Sequence, residues 1–454
     1  MPKLPSAGRL LLLALVAVLA ACAPPAPSTV PETALSAAPA RAAWVDDAVL
    51  YEVFVRSATP EGTFRALIPR LDSLQAMGVT TLWLMPIHPV GEARRKGRLG
   101  SPYSVRDYRA VDPAFGTLDD FRALVDAVHA RGMTLILDWV ANHTAFDHAW
   151  VTAHPEWYTQ DADGTIVHPE GTDWTDVADL DFSEPALRDA MIAEMRYWVE
   201  AFGVDGYRAD VAGLVPQDFW AEAIATLREV RPVLMLAEGN DAWLYEVGFD
   251  LTYAWNTYRA LLDIWEGAPP DALYETVAEE DERFPPGALR LRFITNHDET
   301  SWDDAAVVKY GGVEGTQAAM VVAATLPGVP LLYNGQEVAA PQRMNLFEDE
   351  KIDWSLNPQL RGFYATLLQL SRESRALREG LFAPLALGPD VIAYTRRHGD
   401  ERVAVVVNPR TEPQPVALPE GALAPAMRDV FTGEAPAASF TLPPHGFRVY
   451  RAGG

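Results

Sequence analysis

The chain has 454 residues, a formal charge of −25 at neutral pH and a hydrophobic content of 49%. That length carries one large domain with one or two small ones, and that apolar content excludes a disordered chain. With 62 acidic residues against 37 basic ones, a nucleic-acid partner is excluded, since it needs a basic face; a neutral substrate or a cation is not.

Lys3 and Arg9 precede an unbroken apolar run over residues 10–21, and Cys22, the single cysteine, follows it. A basic start before an apolar run too short to span a bilayer reads as an export signal. Leu19-Ala20-Ala21-Cys22 resembles the lipobox of bacterial lipoproteins. Residues 1–21 are therefore read as a lipoprotein signal peptide and Cys22 as the lipidated mature N-terminus. An ordinary secretory signal with Cys22 incidental is the alternative. Residues 22–43 are rich in Ala and Pro and aperiodic, which reads as a tether. The protein is expected to be exported and lipid-anchored to the cell envelope, at the outer membrane or cell surface, as a monomer.

From residue 49 onward, β-type runs alternate with helical ones. Strands are expected at 49–55, 80–87, 133–140, 203–209, 233–237, 249–254, 291–295 and 329–333. Helices are expected at 64–77, 118–130, 186–202, 216–230, 256–282, 305–325 and 358–377, with room for a turn or two at 241–247. The alternation lapses over 143–185, a polar, aromatic stretch of the kind that carries function when inserted after a strand. This tally is that of an α/β chain folded as a (β/α)8 TIM barrel over 44–380, with 143–185 as an inserted subdomain. Beyond residue 380 the texture changes to short alternating runs at 391–396, 402–407 and 447–451, separated by Pro and Gly. Residues 381–454 are accordingly read as a C-terminal antiparallel β domain, a β-sandwich.

Arg208 and Asp210 lie two apart on an expected strand, so their side chains share a face. A guanidinium there would hold the carboxylate ionised, as a nucleophile at a sugar anomeric carbon requires. Alone, the pair reads more simply as a structural salt bridge. In a barrel of this kind, however, the site gathers at the C-terminal ends of the strands. Those ends carry Asp138 with Asn142 and His143, then Arg208 with Asp210, then Glu238, then Asn296-His297-Asp298, then Asn334 to Glu337. Asp210, Glu238 and Asp298 are expected to converge on one cavity with His143, His297 and Arg208. Each has a plain reading as an ion pair or a core histidine, but polar groups at five of eight strand ends favour catalysis.

These motifs resemble those of glycoside hydrolase family 13, the α-amylase family. Residues 138–143 are similar to its D-x-x-x-N-H segment, 206–210 to G-x-R-x-D, and 296–298 to N-H-D. Asp179-Leu180-Asp181 resembles the short motif near the end of the family's insertion, and 51–56 and 328–337 resemble its first and last barrel strands. The resemblance implies a retaining α-glucan hydrolase that cleaves starch-like glucans or maltooligosaccharides through a covalent glycosyl-enzyme. It implies Asp210 as nucleophile, Glu238 as acid and base, and Asp298 as stabiliser of the distorted sugar. Arg208 would keep Asp210 charged, His143 and His297 would hydrogen-bond the sugar, and Tyr103 would stack beneath it. It further implies a calcium ion (Ca2+) held partly by Asn142 and Asp179, residue types suited to a hard cation. A zinc site on His143, His148 and His154 has no usual ligand spacing.

Loop aromatics Trp150, Trp157, Tyr158, Trp174, Trp243 and Trp302 are candidate sugar platforms or plain loop packing. Departures from the pattern bear on specificity. Residues 211–214 lack the Lys and His that many amylases carry after the nucleophile, and 238–240 lack the usual aromatic. Val211 resembles members acting on α-1,6 bonds, whereas Asp179-Leu180-Asp181 looks more like α-1,4 amylases. The competing readings are an α-glucan transglycosylase, an α-1,6-acting member, and a non-catalytic glucan-binding lipoprotein.

Overall fold

In the computed structural model, which describes residues 41–453, eight parallel strands close into a barrel in which every strand pairs with its sequence neighbours. They are β1 (Leu50–Val53), β2 (Thr81–Leu84), β3 (Thr134–Trp139), β4 (Gly206–Ala209), β5 (Leu234–Ala237), β6 (Leu251–Tyr253), β7 (Leu289–Arg292) and β8 (Val329–Tyr333). The signal-peptide reading of 1–21, Cys22 and most of the tether lie outside the described residues. Among the described residues no helix is long and apolar enough to cross a membrane.

The strands read as continuous apolar runs because both faces are covered, as parallel sheets require. Alternate residues point inward. Leu50, Trp83, Ile136, Leu234, Leu236, Leu251, Leu291 and Leu331 fill the lumen, while Tyr51, Leu82, Leu135 and Met235 face the helices. A 3-10 turn, Ala43–Asp47, inserts buried Val45 into the lumen cluster before β1 begins.

The elements that set the site are tightly specified. The helix Leu118–His129 starts at a capping box, with Thr117 Oγ1 accepting from the Asp120 N–H at 3.2 Å and Asp120 Oδ2 from the Thr117 N–H at 2.9 Å. The helix Pro185–Phe202 buries Leu187, Met191, Met195 and Trp198 and ends on Gly203 at φ 72, the left-handed cap that suits glycine. Asp205 then locks the base of β4, accepting from Leu135 N at 2.9 Å and pairing with Arg231 at 2.9 Å. Gly206 has φ 149, and a Cβ there would lie 1.9 Å from the Leu234 carbonyl oxygen. Only glycine lets β4 and β5 meet in this register.

Four expected helices are broken. Residues 64–77 form Phe64–Leu67, a 3-10 turn Ile68–Arg70 around Pro69, and Leu71–Met77. Residues 256–282 divide into Trp255–Trp265 and Asp271–Arg283 across Gly267, Pro269 and Pro270. Residues 305–325 divide at Gly311-Gly312. In these three cases Pro or Gly interrupts an apolar period that runs on through the break; in the fourth, residues 358–377 divide at Ser374, whose side chain caps the second helix, Arg375–Glu379. The seventh strand ends at Arg292, three residues earlier than the expected 295, so residues 293–296 reach past the barrel rim.

In the insertion, His143–Ala145 pairs antiparallel with Val177–Asp179, placing His143 opposite Asp179. Beyond the last barrel helix, a five-stranded sheet begins at Leu381, and a two-stranded sheet joins Gln414–Ala417 to Ser439–Leu442. The two sheets share a core of Val391, Ala393, Val406, Val416 and Leu442. This region docks on the barrel helices through Tyr394 Oη against Thr325 Oγ1 at 2.6 Å and Arg396 Nη1 donating to the Thr325 carbonyl at 3.0 Å.

Candidate active site

The C-terminal strand ends open into a cavity of about 530 Å³ lined by Tyr103, His143, Asp210, Glu238, His297 and Asp298. Arg208 lies beneath it, fully buried. All seven residues expected at the sugar are therefore brought together.

Arg208 organises them. Its Nη1 donates to Asp138 Oδ1 at 2.8 Å and to Asp210 Oδ1 at 2.9 Å, and Nε donates to Tyr253 Oη at 3.2 Å. Its Nη2 touches Glu238 Oε2 at 2.9 Å without the alignment of a hydrogen bond. Asp138 also accepts from Trp83 Nε1 and Tyr103 Oη, each at 3.2 Å. One guanidinium thus faces three carboxyl groups, Asp138 and Asp210 buried and Glu238 half-buried. Burial raises the Asp210 carboxyl well above its usual range; Arg208 pulls it down, but Glu238, Asp138 and Asp298 push it back up. Burial likewise raises Glu238, against Arg208. Arg208 lowers all three carboxyls and His297 lowers Asp138 and Glu238, yet burial carries each of them upward, so Arg208 does not outweigh burial at Asp210 as the strand pair alone led one to expect.

His297 is the second organiser. Its Nδ1 faces Glu52 Oε1 at 2.5 Å, its Nε2 faces Tyr103 Oη at 2.6 Å, and Asp298 Oδ2 lies 3.4 Å from Nε2. Burial opposes its charge, yet Asp298 and Glu52 raise it to about 9. A protonated ring donates from both nitrogens, giving a run of hydrogen bonds from Glu52 through His297 and Tyr103 to Asp138 and Arg208. The Tyr103 ring also stacks against His297, 5.5 Å between centroids. His143 has the opposite character: burial lowers it to about 4, leaving a neutral ring beside Trp174.

Val211 sits at φ 38 and ψ 47, a left-handed conformation that strains a β-branched residue. Its N–H donates to Glu238 Oε2 at 2.7 Å. The strain is located between Asp210 and the group that fixes Glu238, which leaves Glu238 Oε1 free to carry a proton.

Asn142 and Asp179 are neighbours but line no part of the cavity: Asn142 Nδ2 lies 3.4 Å from Asp179 Oδ1, and Thr159 Oγ1 donates to Asp179 Oδ2 at 2.7 Å. Among the described residues no group of three or more His, Cys, Asp or Glu is placed to hold a metal. An amide and one carboxylate already bonded to each other fall short of the roughly six to eight oxygens a calcium ion takes. These two residues do not fit the ion as they stand. His148 instead caps the helix Ala149–Ala153, and His154 stacks on Trp157.

Of the loop aromatics, Trp174 and Trp302 line the cavity, and Trp302 is 61% exposed. Trp157 and Tyr158 are buried, and Trp150 and Trp243 pack against the core. Sequence reasoning missed Glu52, Trp83 and Tyr253 under the site and Lys96, Asp173, Asp176 and Phe347 on its rim. The signal for Glu52 was a lone acid inside an apolar strand, which is rarely buried without a partner.

Residues 43–235 match the family described as alpha amylase, catalytic domain, and residues 385–449 the maltogenic amylase C-terminal domain. The crystal structure of an α-amylase from Lactobacillus plantarum superposes with a TM-score of 0.82 at 30% identity, over 90% of this chain and 99% of that one. Alpha-amylase MalA of Haloarcula japonica is 29% identical over 84% of this chain and 58% of its own length. Alpha-1,4-glucan:maltose-1-phosphate maltosyltransferase of Rhodospirillum rubrum is 30% identical over 81% of this chain and 57% of its own. The chain thus spans a little over half the length of these two relatives.

Proposed function

The chain belongs to the α-amylase family, and on that premise we propose that it is a retaining hydrolase of α-glucans or maltooligosaccharides. The observation that carries this reading is the shared contact of Arg208 with Asp210 and Glu238, each at 2.9 Å, on the wall of a cavity that also holds Asp298. A retaining mechanism needs two carboxyl groups roughly 5 Å apart with different protonation.

Asp210 attacks the anomeric carbon and forms the covalent glycosyl-enzyme. Glu238, whose carboxyl burial raises, gives a proton to the departing glycosidic oxygen, then takes one from the water that releases the sugar. Asp298 holds ring hydroxyls as positive charge develops. His297, charged, offers the sugar its Nε2–H when the sugar hydroxyl takes the place of Tyr103 Oη, and His143 lies on the opposite wall. With no Lys or His after Asp210, the leaving-group side is lined by Val211.

Protein lacking residues 1–40, incubated with starch and maltooligosaccharides, should release α-configured products by NMR. Glu238→Gln should lower kcat by about 10²–10⁴-fold. Undiminished hydrolysis by that variant overturns the assignment, and β-configured products overturn retention. Transfer to a second sugar is favoured by the maltosyltransferase among the relatives. Products longer than the substrate at high acceptor concentration would identify it. Anchoring through Cys22 is part of the same proposal and rests on the sequence of residues 1–22.

A further inference from the structure

The loop after β2 is fastened on both sides of the cavity mouth. Toward the loop after β8, the Leu99 N–H donates to the Phe347 carbonyl at 2.9 Å and Arg98 Nε pairs with Glu348 at 2.8 Å. Gly97 packs so closely there that a Cβ would lie 2.5 Å from that of Phe347. Toward the insertion after β3, Lys96 Nζ donates to the Asp173 carbonyl at 2.6 Å and pairs with Asp176 at 3.2 Å. Lys96, Asp173, Asp176 and Phe347 all face the cavity. The loops after β8, β2 and β3 are thereby joined into one strap.

The barrel order gives the strap a direction. Strands β8, β1, β2 and β3 form one contiguous arc, and β5, which carries Glu238 past its end, lies across the barrel from β1. The acid stands beside the leaving group, so the departing part of the substrate lies over β4 and β5. There the lining is Val211 and Glu238, and among the described residues no hydrogen bond or ion pair crosses the mouth from that side as those of the strap do. The retained sugars, at the non-reducing side of the cleaved bond, point toward the strap. A continuing glucan chain would have to pass through it.

We propose that residues 96–99, tied to Phe347–Glu348 and to Asp173 and Asp176, close the cavity beyond the retained sugars. The substrate is then the non-reducing end of an α-glucan, from which a short unit of fixed length is removed; internal bonds are not cut. This rests on the hydrolase reading above. A 530 Å³ cavity, within the range of small-ligand pockets, suits a few sugar rings and not a through-running chain.

The test compares two maltoheptaosides, one with a free non-reducing end and one with that end blocked by a 4,6-acetal. The protein should cleave the blocked substrate at less than about one hundredth of the free rate and release one product length from the free one. Lys96→Ala and the double variant Arg98→Ala/Glu348→Ala should raise the blocked-to-free ratio about tenfold or more. Equal rates on both substrates overturn the proposal while leaving the hydrolase reading standing. Cleavage of neither overturns the hydrolase reading first. Folded variants, judged by unchanged melting, that still refuse the blocked substrate overturn the strap as the cause.

Discussion

At the scale of the residue, Arg208 decides the site because its planar fork reaches Asp138, Asp210 and Glu238 at once. A lysine is a compact point charge whose single nitrogen cannot span partners spaced to fit that fork. Arg208→Lys should therefore lose about 10²-fold or more in kcat with a small change in KM. Arg208→Met should also lower stability by about 3–5 kcal/mol in urea unfolding, since it strands buried carboxylates. The pairing of Arg208 with Asp210 was legible because strand spacing alone puts them on one face. Glu52 was not: its partner His297 lies 245 positions away, and no local pattern links them.

Asp298 and Glu52 together set a pH dependence through His297. With His297 raised from 6.5 to about 9, the folded state binds a proton more tightly than the unfolded state. The stability so gained is present below pH 6.5 and is lost as pH rises toward 9. Melting temperature should fall across that window, and fall less in Glu52→Gln, whose His297 titrates lower. NMR titration of the imidazole would read the shift directly, and an unmoved His297 would remove Glu52 from this role.

At the scale of the element, the barrel was legible in its strand count and order but not in its helix continuity. The apolar stripes of 256–282 and 305–325 keep their period across the breaks, so periodicity alone joins what Gly267-Ala268-Pro269-Pro270 and Gly311-Gly312 separate. The polar ends of the strands were legible for a related reason. Buried runs end abruptly where the barrel opens to water, and a carboxylate or histidine there stands out. The rim residues Lys96 and Phe347 lie in long loops without period, so nothing in their spacing shows that they meet. The joint between β4 and β5 is the most exacting of the elements. Gly206→Ala should destabilise the fold by more than about 4 kcal/mol, because the added methyl meets the Leu234 carbonyl backbone and not a movable side chain. A melting temperature close to that of the parent would show that β4 can shift without penalty.

At the scale of the whole molecule, the acidic surface, the barrel and the C-terminal sheets act as a carrier for one cavity. If Cys22 is acylated as proposed, full-length protein expressed in a bacterial host should partition with membranes and incorporate labelled palmitate. Cys22→Ala should release it to the soluble fraction with unchanged activity per molecule. Membrane retention of that variant would point to another form of attachment. The described chain enters through Ala43–Asp47, where Val45 seals the lumen and Arg41 Nη1 donates to the carbonyl of Gly287, just ahead of β7. That is the pole of the barrel opposite the strand ends that carry Asp210 and Glu238. Any leash attached at residue 41 therefore pulls from the rear. If such a leash ends in a lipid, as proposed, its point of attachment lies on the face away from the mouth, and a glucan reaches the strand ends without meeting it.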